Sequence, residues 1–179
     1  MMNNIVLVGL MGAGKTTIGR LLARAFGRPF VDSDHEIEAR TGVKVPVIFE
    51  IEGEQGFRER EAGVIAELAQ RNGIVIATGG GAMLNPDSRR ALHNCGAVIY
   101  LHAQPADLWM RTRHDQNRPL LRAPDPQMRF AELYAQRDPL YRETAHVVVD
   151  TGRQSPRLLA GKIEQQLREM WIKPESLQA

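Results

Sequence analysis

Short, unbroken apolar runs recur along this chain, separated by longer stretches with a helical period. Ile5-Val6-Leu7-Val8 is the first run, and a continuous apolar run of this length reads as a buried parallel strand. Phe30-Val31-Asp32, Ile74-Val75-Ile76-Ala77, Ala97-Val98-Ile99-Tyr100-Leu101 and His146-Val147-Val148-Val149 follow as four more. Between them the period changes. Ile18, Leu21, Leu22, Ala25 and Phe26 fall at i, i+3, i+4, i+7 and i+8, one apolar face of a helix. Residues 35–70 read as helical, broken near Thr41-Gly42 and Gly53, with Pro46 in a first helical turn. Asn85-Pro86 is an N-cap followed by a proline at the first helical position. A helix is expected around 105–112, then a loop over 113–125. Asp125-Pro126 starts another helix to about 138. Ser155-Pro156 opens the last helix, with Leu159, Ile163, Leu167 and Met170 on one face.

Strands alternating with helices imply an α/β fold with a five-stranded parallel sheet flanked by helices and joined by right-handed crossovers. The 179 residues suffice for a single domain spanning 1–179. In such sheets ligands bind outside the carboxyl ends of the strands. Three loops there carry unusual chemistry: 9–16, 32–34 and 78–81.

Gly9-Leu10-Met11-Gly12-Ala13-Gly14-Lys15-Thr16 fits G-x-x-x-x-G-K-[ST], and it joins a strand to a helix N-terminus. Unpaired backbone N–H groups and the helix dipole hold an anion at such a place. Lys15 can reach the β- and γ-phosphates of a nucleotide, and the Thr16 hydroxyl can bind Mg²⁺. Asp32 and Asp34 flank Ser33 just past the second strand. One carboxylate can hold Mg²⁺ through water, while the other accepts a hydrogen bond from an attacking hydroxyl. Asp34 alone would serve as a helix cap, which leaves Asp32 for function. Arg58 and Glu61 share a helix face at i, i+3, as a solvated pair or as an arginine oriented to grip an anion. Gly79-Gly80-Gly81 offers backbone N–H groups that no side chain shields. Arg111, Arg113, Arg118 and Arg122 lie on a proline-containing stretch that suggests a lid over phosphates. Arg137 could reach substrate or solvent.

Charge narrows the function further. Hydrophobic residues make up 43% and charged residues 25%, a globular composition, and the net charge is +2. Of the 23 basic residues, 19 are arginine and 4 lysine. Arginine suits bidentate contact with phosphate or carboxylate. Acids are interspersed and no aromatics alternate with the arginines, so a nucleic-acid partner is not expected. No run of 18 apolar residues exists, and no basic region precedes an apolar leader, so neither a membrane span nor a signal peptide is expected. The single cysteine, Cys95, reads as a small buried residue and suits a reducing cytoplasm.

These motifs together resemble the shikimate kinase family from end to end. The matches are the P-loop at 9–16, Asp32-x-Asp34, Ile48-Phe49, Gly53-Glu54 with Phe57-Arg58 and Glu61, Gly79-Gly80-Gly81, Arg118-Pro119-Leu120-Leu121, and Arg137 before Pro139-Leu140-Tyr141. The resemblance implies a P-loop kinase of the nucleoside monophosphate kinase type, with a substrate-binding segment at about 33–61 and a lid at about 112–124. It implies ATP- and Mg²⁺-dependent phosphorylation of the shikimate 3-hydroxyl, toward chorismate and the aromatic amino acids, by a cytoplasmic monomer. Carried over by position, Gly12, Ala13, Gly14, Lys15, Thr16 and Thr17 hold ATP phosphates. Thr16 binds Mg²⁺ with Asp32 in its outer shell, and Asp34 contacts the reacting hydroxyl. Arg58 and Arg137 grip the carboxylate, Glu61 braces Arg58, and Gly80, between Gly79 and Gly81, contacts the carboxylate through its backbone. Phe49 and Phe57 wall the pocket, and Arg118 is the lid arginine. Arg111 and Pro156 sandwich adenine, beside Arg153 and Gln154. Val45-Pro46-Val47 departs from the family's plain helix start, and His114-Asp115-Gln116-Asn117 matches no motif.

A gluconate kinase would share the P-loop but needs fewer arginines aimed at a carboxylate. A GTPase-like switch would carry N-K-x-D, which is absent. The P-loop reading makes a first prediction. Lys15→Met should fold normally yet lose turnover, mainly in kcat, because Lys15 stabilises charge that grows on the transferring phosphoryl oxygens. Near-normal kcat in a folded variant would refute it.

Overall fold

The computed structural model describes residues 4–115, 121–152 and 154–172. β1 (Asn4–Val8), β2 (Phe30–Asp32), β3 (Val75–Ala77), β4 (Gly96–His102) and β5 (Val147–Asp150) form one sheet in the order β2-β3-β1-β4-β5. Every neighbouring pair is parallel, and Leu7 lies opposite Ala77 on one side and Ile99 on the other. All residues of β1, β3 and β4 are buried, as continuous apolar runs in a doubly covered sheet require. β5 is an edge strand whose burial alternates, with Val148 45% exposed.

The covering helices are α1 (Lys15–Phe26), α2 (Ser33–Thr41), α3 (Val45–Gln70), α4 (Pro86–Cys95), α5 (Pro105–Thr112), α6 (Pro126–Thr144) and α7 (Pro156–Ile172). Most expected boundaries hold, and the exceptions have physical causes. On α1, Ala25 is exposed rather than part of the inner face. Gly19 and Ala23 turn inward with Ile18 and Leu22 instead, because a Cβ on Gly19 would lie 2.5 Å from Phe30 Cε2 and its absence admits that ring. α3 runs across Gly53, whose φ of 71° and ψ of −177° break the helix where the glycine marked it. Pro46 sits in the first turn of α3, so it does not disturb the helix start. α6 does not stop before Pro139 but continues to Thr144. Proline removes one intrahelical bond there. Burial of Tyr141 and Thr144 beyond it, and the 2.7 Å bond from the Thr144 hydroxyl to the Leu140 carbonyl, hold the last turn.

α7 packs on α1 through buried Leu159, Ile163 and Leu167, as its periodicity required. Trp171 meets Phe26 edge-on at 5.3 Å between centroids. Cys95 is half-buried rather than buried, and desolvation pushes its thiol up. Among the described residues no helix is long and apolar enough to cross a membrane.

One packing contact is sensitive to protons. The Val98 N–H donates to His146 Nδ1 at 3.0 Å, so the neutral ring carries its proton on Nε2. His93 stacks on it at 4.2 Å and contacts the Thr144 carbonyl through Nδ1 at 3.0 Å. Burial first, and the neighbouring His93 second, lower the His146 pKa. A depressed histidine pKa contributes full stability above the unfolded value near ~6.5, and the contribution is lost as pH falls from there through the folded value. The urea midpoint should therefore drop on acidification below about pH 6.5. In His146→Asn, which keeps an acceptor for Val98, that drop should be smaller. Parallel curves for the two proteins would exclude His146 as the titrating group.

Candidate active site

The loop after β1 curls against its own lysine. Gly12 and Gly14 have φ of 81° and 93°, a left-handed backbone that residues with a Cβ resist. Gly14 is the N-cap of α1, whose own first turn contains no acid. Lys15 Nζ donates to the carbonyls of Gly9 at 2.7 Å and Leu10 at 3.0 Å. Arg111 reaches the same loop from α5, donating to the Gly12 carbonyl and the Gly152 carbonyl, each at 3.2 Å. It thereby ties the P-loop to the turn after β5.

Asp32 closes the strand beside this loop, and it does two jobs at once. Its Oδ1 accepts from the N–H groups of Asp34 at 3.0 Å and His35 at 3.2 Å, which makes Asp32, not Asp34, the cap of α2. Capping starts the helix at Ser33, two residues earlier than its pattern indicated. Asp32 Oδ2 accepts from the Thr16 hydroxyl at 3.0 Å. Among the described residues no cluster of three or more carboxylate, histidine or cysteine side chains forms. Mg²⁺ does not need one, since it keeps several waters and takes one or two protein oxygens plus substrate phosphates. A hydroxyl and a carboxylate 3.0 Å apart at the mouth of a P-loop fit that requirement.

A cleft of about 990 Å³ runs from the P-loop across the carboxyl edge of the sheet. Gly12, Gly14, Lys15, Thr16, Thr17, Asp32 and Asp34 line one end. Phe49, Phe57, Arg58, Glu61, Gly79, Gly80, Gly81 and Arg137 line the other. Ala13 is buried behind the loop, and its N–H bonds the Leu10 carbonyl at 3.2 Å. Arg111, Gln154 and Pro156 are exposed outside this cleft, and Lys162 donates to Gln154 Oε1 at 2.5 Å. Arg118 and Arg153 lie outside the described residues, as does part of the expected lid.

At the far end Arg58 and Glu61 form a pair that is not fully solvated. Arg58 donates to Glu61 Oε2 at 2.7 Å, and the Glu61 side chain is only 3% exposed. Arg58 also holds Glu54 at 3.2 Å. Arg137 is 2% exposed. Burial pushes the Glu61 carboxyl up, with Arg58 and then Arg137 pulling against it. Burial also lowers the Arg137 pKa, and the nearby Arg58 charge adds to that lowering. For Arg58 burial works the same way, but Glu61 and Glu54 outweigh it and raise its pKa. Arg58 is paired with the buried Glu61 carboxylate, and Arg137 lies near enough to feel both charges. Phe49 and Phe57 stack at 4.8 Å beside them, a dry wall.

The glycine triplet serves space rather than conformation. None of Gly79, Gly80 and Gly81 has a positive φ. A Cβ on Gly79 would lie 2.5 Å from Glu61 Oε1 and 2.6 Å from Asp34 Oδ1. One on Gly81 would fall 2.2 Å from Arg58 Nη1. Two partners escaped the sequence reading. Ser33 Oγ accepts from the Gly79 N–H at 2.9 Å, and the Tyr141 hydroxyl donates to the Gly80 carbonyl. A serine between two aspartates and the last residue of the Pro-Leu-Tyr motif were the available signals.

The shikimate kinase family model matches residues 11–168. The chain belongs to the shikimate kinase family. Shikimate kinase of Burkholderia thailandensis is 60% identical over 176 residues, covering 98% of this chain and 96% of the relative. The structure of shikimate kinase from Acinetobacter baumannii in complex with shikimate superposes with a TM-score of 0.90 at 47% identity, covering 99% of this chain and 97% of that one. A gluconokinase from Sinorhizobium meliloti has a TM-score of 0.53 at 19% identity, covering 96% and 97%, which is a likeness of fold alone. The family's phosphoryl transfer to shikimate therefore applies to this chain, and gluconate is set aside as acceptor.

The triplet geometry yields a prediction. Gly79→Ala meets no backbone penalty, so its cost must come from the two carboxylates it strikes. It should destabilise by about 1–3 kcal/mol and depress activity. Gly161→Ala on α7 meets nothing within 4 Å and should stabilise by about 0.5–1 kcal/mol. Thermal unfolding of both, with kcat measured alongside, tests this, and an unperturbed Gly79→Ala would show that the space is not confined.

Proposed function

We infer that shikimate and ATP occupy this cleft together, with the phosphates at the P-loop and the shikimate carboxylate at the arginine end. The observation that carries this reading is the pair of guanidiniums, half-buried Arg58 and fully buried Arg137, set around successive glycines in the cleft that Lys15 also lines. A single anion answers their charge, and shikimate has one carboxylate. Anchored there, its ring reaches back toward Asp34 and the phosphates.

Phosphoryl transfer passes through a loose transition state, so positioning and charge stabilisation supply most of the catalysis. The N–H groups of Gly12 to Thr17 cradle the phosphates at the start of α1. Lys15 leaves the carbonyls of Gly9 and Leu10 and turns to the transferring phosphoryl oxygens. Thr16, backed by Asp32, holds Mg²⁺, which when bound screens the phosphate charge. Asp34 accepts a hydrogen bond from the 3-hydroxyl and so orients the hydroxyl oxygen toward the γ-phosphorus. Glu61 keeps Arg58 in its plane, and Phe49 and Phe57 exclude water beside it. Arg111, Pro156, Arg153 and Gln154 receive adenine, and Arg118 closes on the phosphates. One kinase domain acting as a cytoplasmic monomer, with no nucleic-acid or membrane partner, accords with the composition.

Arg58→Lys and Arg137→Lys test the substrate end. A lysine cannot give the two-point contact that sets both position and plane. Each should raise the shikimate KM by about 30- to 1000-fold, with a much smaller change for ATP. Shikimate methyl ester should be a poor substrate for the wild type and should lose most of its disadvantage in the Arg→Ala variants. Equal penalties on acid and ester would show that these arginines do not read the carboxylate.

A further inference from the structure

Tyr141 is fully buried on α6, one helical turn beyond Arg137 and on the same face. Its hydroxyl donates to the Gly80 carbonyl, and the Arg137 guanidinium lies on the same side of Gly80. The closeness of the three groups shows in the space around Gly80. A Cβ there would lie 3.3 Å from Arg137 Nη1 and 3.7 Å from the Tyr141 oxygen. The ring itself is fixed by Tyr100, 5.0 Å away between centroids.

This arrangement sets a backbone direction. Every described peptide is trans, so the Gly80 carbonyl and the following Gly81 N–H point opposite ways. A hydroxyl that holds the carbonyl therefore turns the Gly81 N–H away from α6. Ser33 holds the triplet at Gly79, at 2.9 Å, which leaves the Gly80–Gly81 peptide as the part that α6 controls. Packing alone does not require a phenol here. Phenylalanine would fill the same volume without burying a hydroxyl, whose burial costs free energy unless it is bonded. Burial pushes the phenol pKa up, so it remains a donor at any working pH.

We propose that Tyr141 is a positioning residue for the carboxylate end of the site, its hydroxyl holding the Gly80–Gly81 peptide in one orientation beside the Arg137 guanidinium. The proposal rests on the reading that Arg58 and Arg137 bind the shikimate carboxylate. The guanidinium and the peptide N–H then act as one preset clamp, and the helix that carries the arginine also aims the glycine loop.

Tyr141→Phe tests it, since the ring and its Tyr100 contact remain. The shikimate KM should rise about tenfold, the ATP KM should stay within about twofold, and kcat should change little. The methyl ester should be penalised much less than the acid. Combining Tyr141→Phe with Arg137→Lys should give less than the product of the two separate penalties, because both act on one clamp. The shift in melting temperature caused by shikimate, read against each protein's own unliganded value, keeps the comparison valid for a less stable variant. An unchanged shikimate KM, or equal penalties on acid and ester, would overturn the positioning role while Arg137→Lys still discriminated acid from ester. If Arg137→Lys itself failed to discriminate them, the carboxylate reading would fall, and this proposal with it.

Discussion

A parallel sheet must be covered on both faces, and most of this structure follows from that. Its central strands are wholly buried, so each connection must leave the sheet, cross a face as a helix and return to the same starting edge. All carboxyl ends then lie along one rim. The loops after β1, β2 and β3 meet there because nothing else is open to them. The order β2-β3-β1-β4-β5 places β1 at the centre, with β3 on one side and β4 on the other. The P-loop thus starts from the best-supported strand, and the Asp32 and Gly79–Gly81 loops open on its flank.

That rim concentrates charge in a way that would be costly without ligands. Arg58 lies close enough to Arg137 to lower its pKa, and Glu61 is buried beside them. Among the described residues Glu61 Oε1 and Arg137 Nε have no hydrogen-bond partner. Buried polar atoms normally find partners, so these two stand out. At the other end the first turn of α1 contains no acid of its own, and Lys15 Nζ donates to the carbonyls of Gly9 and Leu10.

Much of the fold was legible because its signals are local. Short apolar runs of two to five residues marked the strands, and Asn85-Pro86 and Gly53 marked a cap and a break that both occur. The signals failed where a distant contact overrode them. Pro139 reads as a stop, yet α6 continues because Tyr141 and Thr144 are buried beyond it. The inner face of α1 is rotated because Phe30, on a neighbouring strand, needs the space above Gly19.

The sequence by itself determined the chemistry available: a phosphate loop with its lysine, two aspartates after a strand, arginines in excess and three glycines in a row. Spacing and strand–helix order placed these at one edge, since local propensity and hydrophobic period act over a few residues. Tertiary structure decided what each group does there. It made Asp32 both cap and partner of Thr16. It buried Glu61 and so converted a helix-surface spacing into an oriented arginine. It also brought Tyr141 to Gly80 across 61 residues of chain, a hydrogen bond that no local pattern encodes because it depends on how α6 lies against the loop after β3.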